Sequence, residues 1–392
     1  MPKELKRDWP RVKFGEVVRL SKARCANPLA EGVERFVGLE HLEPGDFRIR
    51  SWGNVADGTT FTSVFKPGQL LFGKRRAYQR KVAVADFSGV CSGDIYVLES
   101  QDANVLLPDL LPFICQTDAF FEHAVGTSAG SLSPRTNWTS LADFEFALPP
   151  IEKQKSLVQL LQATMACSEA HEGALSVAQQ VIQAFKDNYL DLRGASGCRN
   201  YLLGDLLAGS PDSGCSAPPR DADTGHYVLG LAALSRNGYQ SGDFKPVEPT
   251  STMLVAKLAK GDLLISRSNT VERVGYVGIF HDSRDDVSFP DTMMRLKPNE
   301  ELIEPQFLEA LLQTSAAREF IMRIAAGTSA SMKKINRANL LKLPLKIPPL
   351  DHQKEIVREL NVMKDAVALQ KNRLISIRQL AVKLATESLQ GS

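Results

Sequence analysis

One unusual opening occurs twice in this chain. LPPIEKQKSLVQLL spans Leu148–Leu161 and IPPLDHQKEIVREL spans Ile347–Leu360. The proline pairs lie 348 − 149 = 199 residues apart in a chain of 392. A repeat of that period duplicates a whole unit rather than a short motif. Further stations match in order. VKFGEVVRL (Val12–Leu20) faces YLLGDLLAG (Tyr201–Gly209), and FVGLEHL (Phe36–Leu42) faces VLGLAAL (Val228–Leu234). PGQLLFGKRRAYQRKVAV (Pro67–Val84) faces KGDLLISRSNTVERVGYV (Lys260–Val277), and SGDIYVL (Ser92–Leu98) faces FPDTMMRL (Phe289–Leu296). Last, GTSAGSLSPRTNWTSLADFEFALPP (Gly126–Pro150) faces GTSASMKKINRANLLKLPLKIPP (Gly327–Pro349).

Each repeat has two parts. The first holds short runs of β character: QLLFG, KVAVADF and DIYVLE in one copy, DLLIS, VGYVGIF and TMMRLK in the other, punctuated by Gly, Pro and Asp. Helical stretches accompany them, PDLLPFICQTDAFFEHAV and EPQFLEALLQTSAAREFIMRI. The second part is a long helix. After Pro349 a seam runs Ile356, Leu360, Met363, Val367, Gln370, Leu374, Ile377, Ala381, Leu384, in alternating steps of 4 and 3. Subtracting 199 gives Leu157, Leu161, Thr164, Ser168, His171, Leu175, Ala178, Ile182, Phe185. That is the heptad pattern of paired helices, weaker in the opening half of the first copy, with His171 and Gln370 as polar seam positions able to set register. The Pro-Pro pair suits a helix entrance. The expected fold class is α+β: two β-rich lobes and two long helices that pair as a coiled coil, related by a pseudo-twofold internal repeat. The boundaries expected are 1–147, 148–194, 195–346 and 347–392.

The chain has no run of 18 apolar residues, so no membrane span or membrane partner is expected. MPKELKRDWPRVKFGE lacks an apolar signal core, which points to the cytoplasm. The six cysteines form no CxxC pair and have no His at metal spacing, so we read reduced thiols and expect no metal. Leu148 and Ile347 stand where an amino-methyltransferase motif needs Asn or Asp before Pro-Pro. There is no Walker sequence or HExxH, and no catalytic residue is assigned.

Net charge is only +2, but six Lys or Arg and no acid fall between Gly58 and Ala85, and again between Phe320 and Leu350. Local basic surface concentrates phosphate even on a near-neutral protein. The candidate DNA-binding residues are Lys74, Arg75, Arg76, Tyr78, Gln79, Arg80, Ser128, Ser131, Arg135 and Asn137 in the first copy. In the second they are Arg267, Ser268, Asn269, Thr270, Arg273, Ser329, Lys333, Lys334 and Asn336. Arg suits guanine edges, Asn and Gln suit adenine, and hydroxyls and Lys suit phosphate. Positions coincide between copies while chemistry differs, which suits two modules reading different short sequences. The alternative is a duplicated protein-binding scaffold without DNA specificity.

At this point the chain resembles the specificity subunit of a type I restriction-modification system. The resemblance rests on the duplicated helix openings (Pro149–Lys155, Pro348–Lys354), the GTS loops before them, and the segments GQLLFGKRRAY and GDLLISRSNT. It implies two target recognition domains, each reading half of a split double-stranded DNA site, held apart by two antiparallel central helices. It implies no catalysis in this chain. Two partner modification (methyltransferase) subunits would bind S-adenosylmethionine and methylate adenine N6, and restriction/translocase subunits can join them. About 35 helical residues span roughly 50 Å, against about 34–36 Å for one DNA turn.

Overall fold

The computed structural model describes residues 9–130, 132–190, 197–327 and 332–389. The chain divides into two compact units, residues 1–173 with 371–392, and residues 174–370.

In the first unit, Leu70–Gly73 sits inside a four-stranded antiparallel sheet in the order Val18–Leu20, Ile95–Ser100, Leu70–Gly73, Val82–Val84. Leu70 and Phe72 point into one core cluster and Leu71 into another. A strand buried on both faces must read as an unbroken apolar run, and QLLFG does. The second sheet runs Gly53–Asn54, Arg35–Val37, Gly89–Cys91, Ser63–Phe65, with the middle pair parallel. Arg11–Lys13 closes the lobe against Glu145–Ala147 in antiparallel register.

The second unit repeats this plan. Its sheet runs Asp212–Ser213, Met293–Leu296, Leu263–Ser266, Val277–Ile279. Leu263 and Ile265 face one cluster and Leu264 the other. Tyr227–Leu229 pairs in parallel with Val287–Ser288, and Lys257 bridges Ser288 where the first lobe has a fourth strand. Arg199–Leu202 closes on Pro344–Ile347. Each of the two expected helical stretches holds a pair of helices. Leu111–Ile114 and Asp118–Gly126 break at Thr117, whose hydroxyl caps the second helix, and Pro305–Leu312 and Ser315–Ile324 break likewise at Thr314.

The long helices are Ile151–Tyr189 and Leu350–Leu389. The repeated Gln explains their openings. Gln154 is buried; its Nε2 donates to the Val105 and Pro149 carbonyls, both at 2.8 Å, and its Oε1 accepts from the Leu107 amide at 2.9 Å. Gln353 repeats the set with Leu302 (3.1 Å), Pro348 (2.9 Å) and the Glu304 amide (2.9 Å). One buried amide thus ties the proline turn to the loop preceding the lobe's helix pair and satisfies backbone groups there.

All nine seam positions of each helix are buried or half-buried, His171 and Gln370 included. The weak opening half of the first seam has a cause. Leu157, Val158 and Leu161 belong to the first lobe's core, joined by Met165 and by Leu384 near the end of the second helix. In the second unit Ile356, Val357 and Leu360 enter the core, joined by Ile182 and Phe185 near the end of the first helix. Within each unit the start of one helix therefore lies with the end of the other, which makes the pair antiparallel. Arg378 and Glu172 add an ion pair at 2.5 Å.

Candidate nucleic-acid interface

In the first lobe, the chain leaving Leu70–Gly73 meets the segment Ser133–Asn137. Arg76 N donates to the Pro134 carbonyl at 2.7 Å, and Thr136 N to the Lys74 carbonyl at 3.1 Å. Asp94, just before the strand Ile95–Ser100, accepts from Arg135 Nε at 2.7 Å and Arg75 Nη1 at 3.3 Å. The Arg135 hydrogen bond foremost holds the Asp94 carboxyl below its ordinary value. Ser133 Oγ accepts from Arg75 Nη2 at 3.0 Å and Arg76 Nη2 at 3.3 Å. The Nε atoms of both arginines are buried without a partner.

Arg76 and Arg80 adopt left-handed backbone, φ 53° and 56°, on either side of the turn Ala77–Gln79. Each costs about 1–2 kcal/mol for a residue bearing a Cβ. The surroundings over-determine the turn: Ala77 is buried, and Arg80 is fixed by Asp118 Oδ1 at 2.7 Å, the Gln116 carbonyl at 2.9 Å and the Phe121 ring. The outcome is Tyr78, 56% exposed, at the apex, with Gln79 half-buried beside it. Lys74 lies over the Tyr96 ring at 4.7 Å, and burial lowers its pKa. Ser128 Oγ donates to the Ala124 carbonyl. Ser131 lies outside the described residues.

The second lobe joins the equivalent segments. Ser268 pairs with Lys334 and Asn269 with Lys333, and Ile335 N donates to the Arg267 carbonyl at 2.9 Å. Ser268 and Asn269 are buried, bonded to Met332 Sδ and to Ser266 Oγ. Thr270, Arg273 and Lys334 are exposed, and Lys333 Nζ donates to the Gly327 carbonyl at 2.5 Å. Ser329 lies outside the described residues. Asn137 and Asn336 use their side-chain oxygens to cap Trp138–Ala142 and Arg337–Leu340.

Sequence reasoning missed Asp94 and Ser133 as the anchors of the first lobe's arginines, and counted Arg337 in the second basic run without placing it among the candidate DNA-binding residues. Arg267, Met294, Asn336, Arg337, Ala338 and Leu341 line a pocket of about 400 Å³. Arg337 is held by the hydroxyls of Ser213 at 2.8 Å and Ser210 at 3.4 Å. Among the described residues no cluster of His, Cys, Asp and Glu could hold a metal, and no helix is long and apolar enough to cross a membrane.

Residues 255–379 match the model of the type I restriction modification DNA specificity domain. The EcoDI type I restriction enzyme specificity subunit of Escherichia coli is 25% identical over 215 residues, 52% of this chain and 45% of that protein. The putative MjaX specificity subunit of Methanocaldococcus jannaschii is 30% identical over 151 residues, 38% of this chain and 35% of that protein. The matches thus span less than half the length of these two relatives. A solved chain from work on complex assembly and conformational transition of the type I R-M system shares the fold over 98% of both chains, with a TM-score of 0.60 at 18% identity. Parts of this chain are thus similar in sequence to type I restriction enzyme specificity subunits, and its fold is shared with the solved chain of the type I R-M system.

Proposed function

We propose that this chain is the DNA-recognition subunit of a type I restriction-modification system, and that its two lobes read the two halves of a split site. One observation carries the reading. Both lobes build the same junction, Thr136 N to Lys74 O and Ile335 N to Arg267 O, yet arm it differently. The first displays Tyr78 and Gln79 among arginines; the second displays Thr270, Arg273 and Lys334. One scaffold with two chemistries is what reading two unlike sequences requires.

The division of labour follows the same reading. The chain positions and does not catalyse; two modification subunits bind S-adenosylmethionine and methylate adenine N6, with restriction subunits joining them. The boundaries proposed for the recognition domains are 1–147 and 195–346. Val177, Val181, Val362, Leu369, Ile375 and Leu380 on the long helices are large, apolar and exposed, and they supply surface for such subunits. The test is long-read mapping of N6-methyladenine in host DNA with and without the gene. The reading predicts a split motif that disappears with the gene. Methylation that persists unchanged would contradict it.

A further inference from the structure

We propose that the pocket between Arg267 and Arg337 seats one backbone phosphate of duplex DNA, and that this seat belongs to the second lobe alone. The inference rests on the DNA-recognition reading and adds a site to it.

The lining holds two guanidiniums and no carboxylate. Arg267 makes no side-chain hydrogen bond or ion pair among the described residues, although it is half-buried. Arg337 is fixed, but by the neutral hydroxyls of Ser210 and Ser213, which orient the fork without cancelling its charge. Two like charges facing one cavity repel, and an anion between them relieves that cost. The planar fork of Arg suits a phosphate's paired oxygens. The place is also apt: Arg267 leads directly into Ser268–Asn269, whose strand partner carries exposed Lys334.

The first lobe shows why the seat is not duplicated. Strand register matches Tyr96, opposite Phe72, with Met294, opposite Ile265. The offset of 199 matches Trp138 with Arg337. Lys74 and Arg267 hold equivalent places, since each gives its carbonyl to the same junction bond. So where the second lobe has Met294 and two arginines around open space, the first has Tyr96 and Trp138 in edge contact at 6.3 Å, with Lys74 against the Tyr96 ring. Aromatic bulk fills the volume and one cation is already engaged.

The experiment measures the affinity of the specificity complex for a labelled duplex carrying its mapped site, across a salt series. Removing one phosphate contact lowers the slope of log affinity against log salt by about 0.9. Arg267→Met and Arg337→Met are each expected to lower it by about that amount, while Arg337→Lys, which keeps the charge, retains it. In a set of duplexes with single methylphosphonate linkages, one position should weaken the wild type and leave Arg267→Met unaffected. Wild-type slopes in both Met variants, with DNA binding intact, would overturn the proposal. So would inorganic phosphate binding that depends on Arg267 while the DNA slope does not. Loss of all DNA binding in the wild-type complex would instead bring down the recognition reading itself.

Discussion

Gln154 donates its side-chain amide to the carbonyl of Pro149 at 2.8 Å, five residues back, inside the turn that starts the first long helix. Gln353 and Pro348 repeat the contact at 2.9 Å. The duplicated sequence motif is therefore a latch: two prolines stiffen the entrance, and a buried amide fastens it to the lobe.

Breaking the latch should loosen one lobe at a time. Gln154→Leu leaves the Leu107 amide and the Val105 and Pro149 carbonyls without their partner, at about 1–3 kcal/mol for each buried group left unsatisfied. Gln353→Leu does the same in the second unit. Hydrogen exchange on the full chain should show protection lost in the first lobe for one variant and in the second lobe for the other. Equal loss in both lobes from either variant would contradict the assignment.

Lys186 gives a pH dependence. It is buried, with Nζ donating to Gln313 Oε1 at 2.6 Å. Desolvation, aided by Lys364 and opposed by Glu309 and Asp187, lowers its pKa to about 8, with Arg236 also disfavouring the charge. Unfolded, its pKa returns to about 10.4. Between those values the unfolded chain holds a proton the folded one has released, so stability rises with pH. Below about 8 the folded chain carries the full burden, about 3 kcal/mol. Lys186→Met should raise the melting temperature at pH 7, with the advantage shrinking by pH 10. A difference constant in pH would refute this account.

Asp94→Asn should release Arg75 and Arg135. The ion pairs are partly exposed, so the stability loss is about 1 kcal/mol. Because the carboxyl is held below its ordinary value, that contribution is present above about pH 4 and fades as pH falls through the folded value. The variant should therefore lose less stability than the wild type on acidification. With one fewer negative charge beside the basic loop, non-specific DNA affinity at low salt should rise. Denaturant titration at pH 7 and pH 3.5, with filter binding to random duplex, checks both.

The repeat, the central strands and the helix seam were readable because each leaves a local periodic trace. Leu70, Leu71 and Phe72 are apolar in succession since both faces of their strand are covered. The seam steps of 4 and 3 put His171 and Gln370 where both are half-buried. Other features depend on distant partners. Leu157 and Leu161 serve the lobe core, so the first seam looked weak where it had a second task. The arginines looked alike in sequence, but Arg80 is engaged by Asp118 and Arg135 by Asp94, partners 38 and 41 residues away. The break at Thr117 was hidden inside an apolar stretch, although Gln-Thr recurs at Gln313-Thr314 and marks both caps.

The central claim, separate reading by two lobes, is tested by mapping N6-methyladenine in cells that express this chain with its modification subunits. Tyr78→Ala changes only the apex of the first lobe's turn; Thr270→Ala with Arg273→Met changes only the exposed tip of the second. The account predicts that the first variant relaxes one half of the methylated motif and the second relaxes the other half. Both variants degrading both halves equally, with each protein still folded, would contradict it.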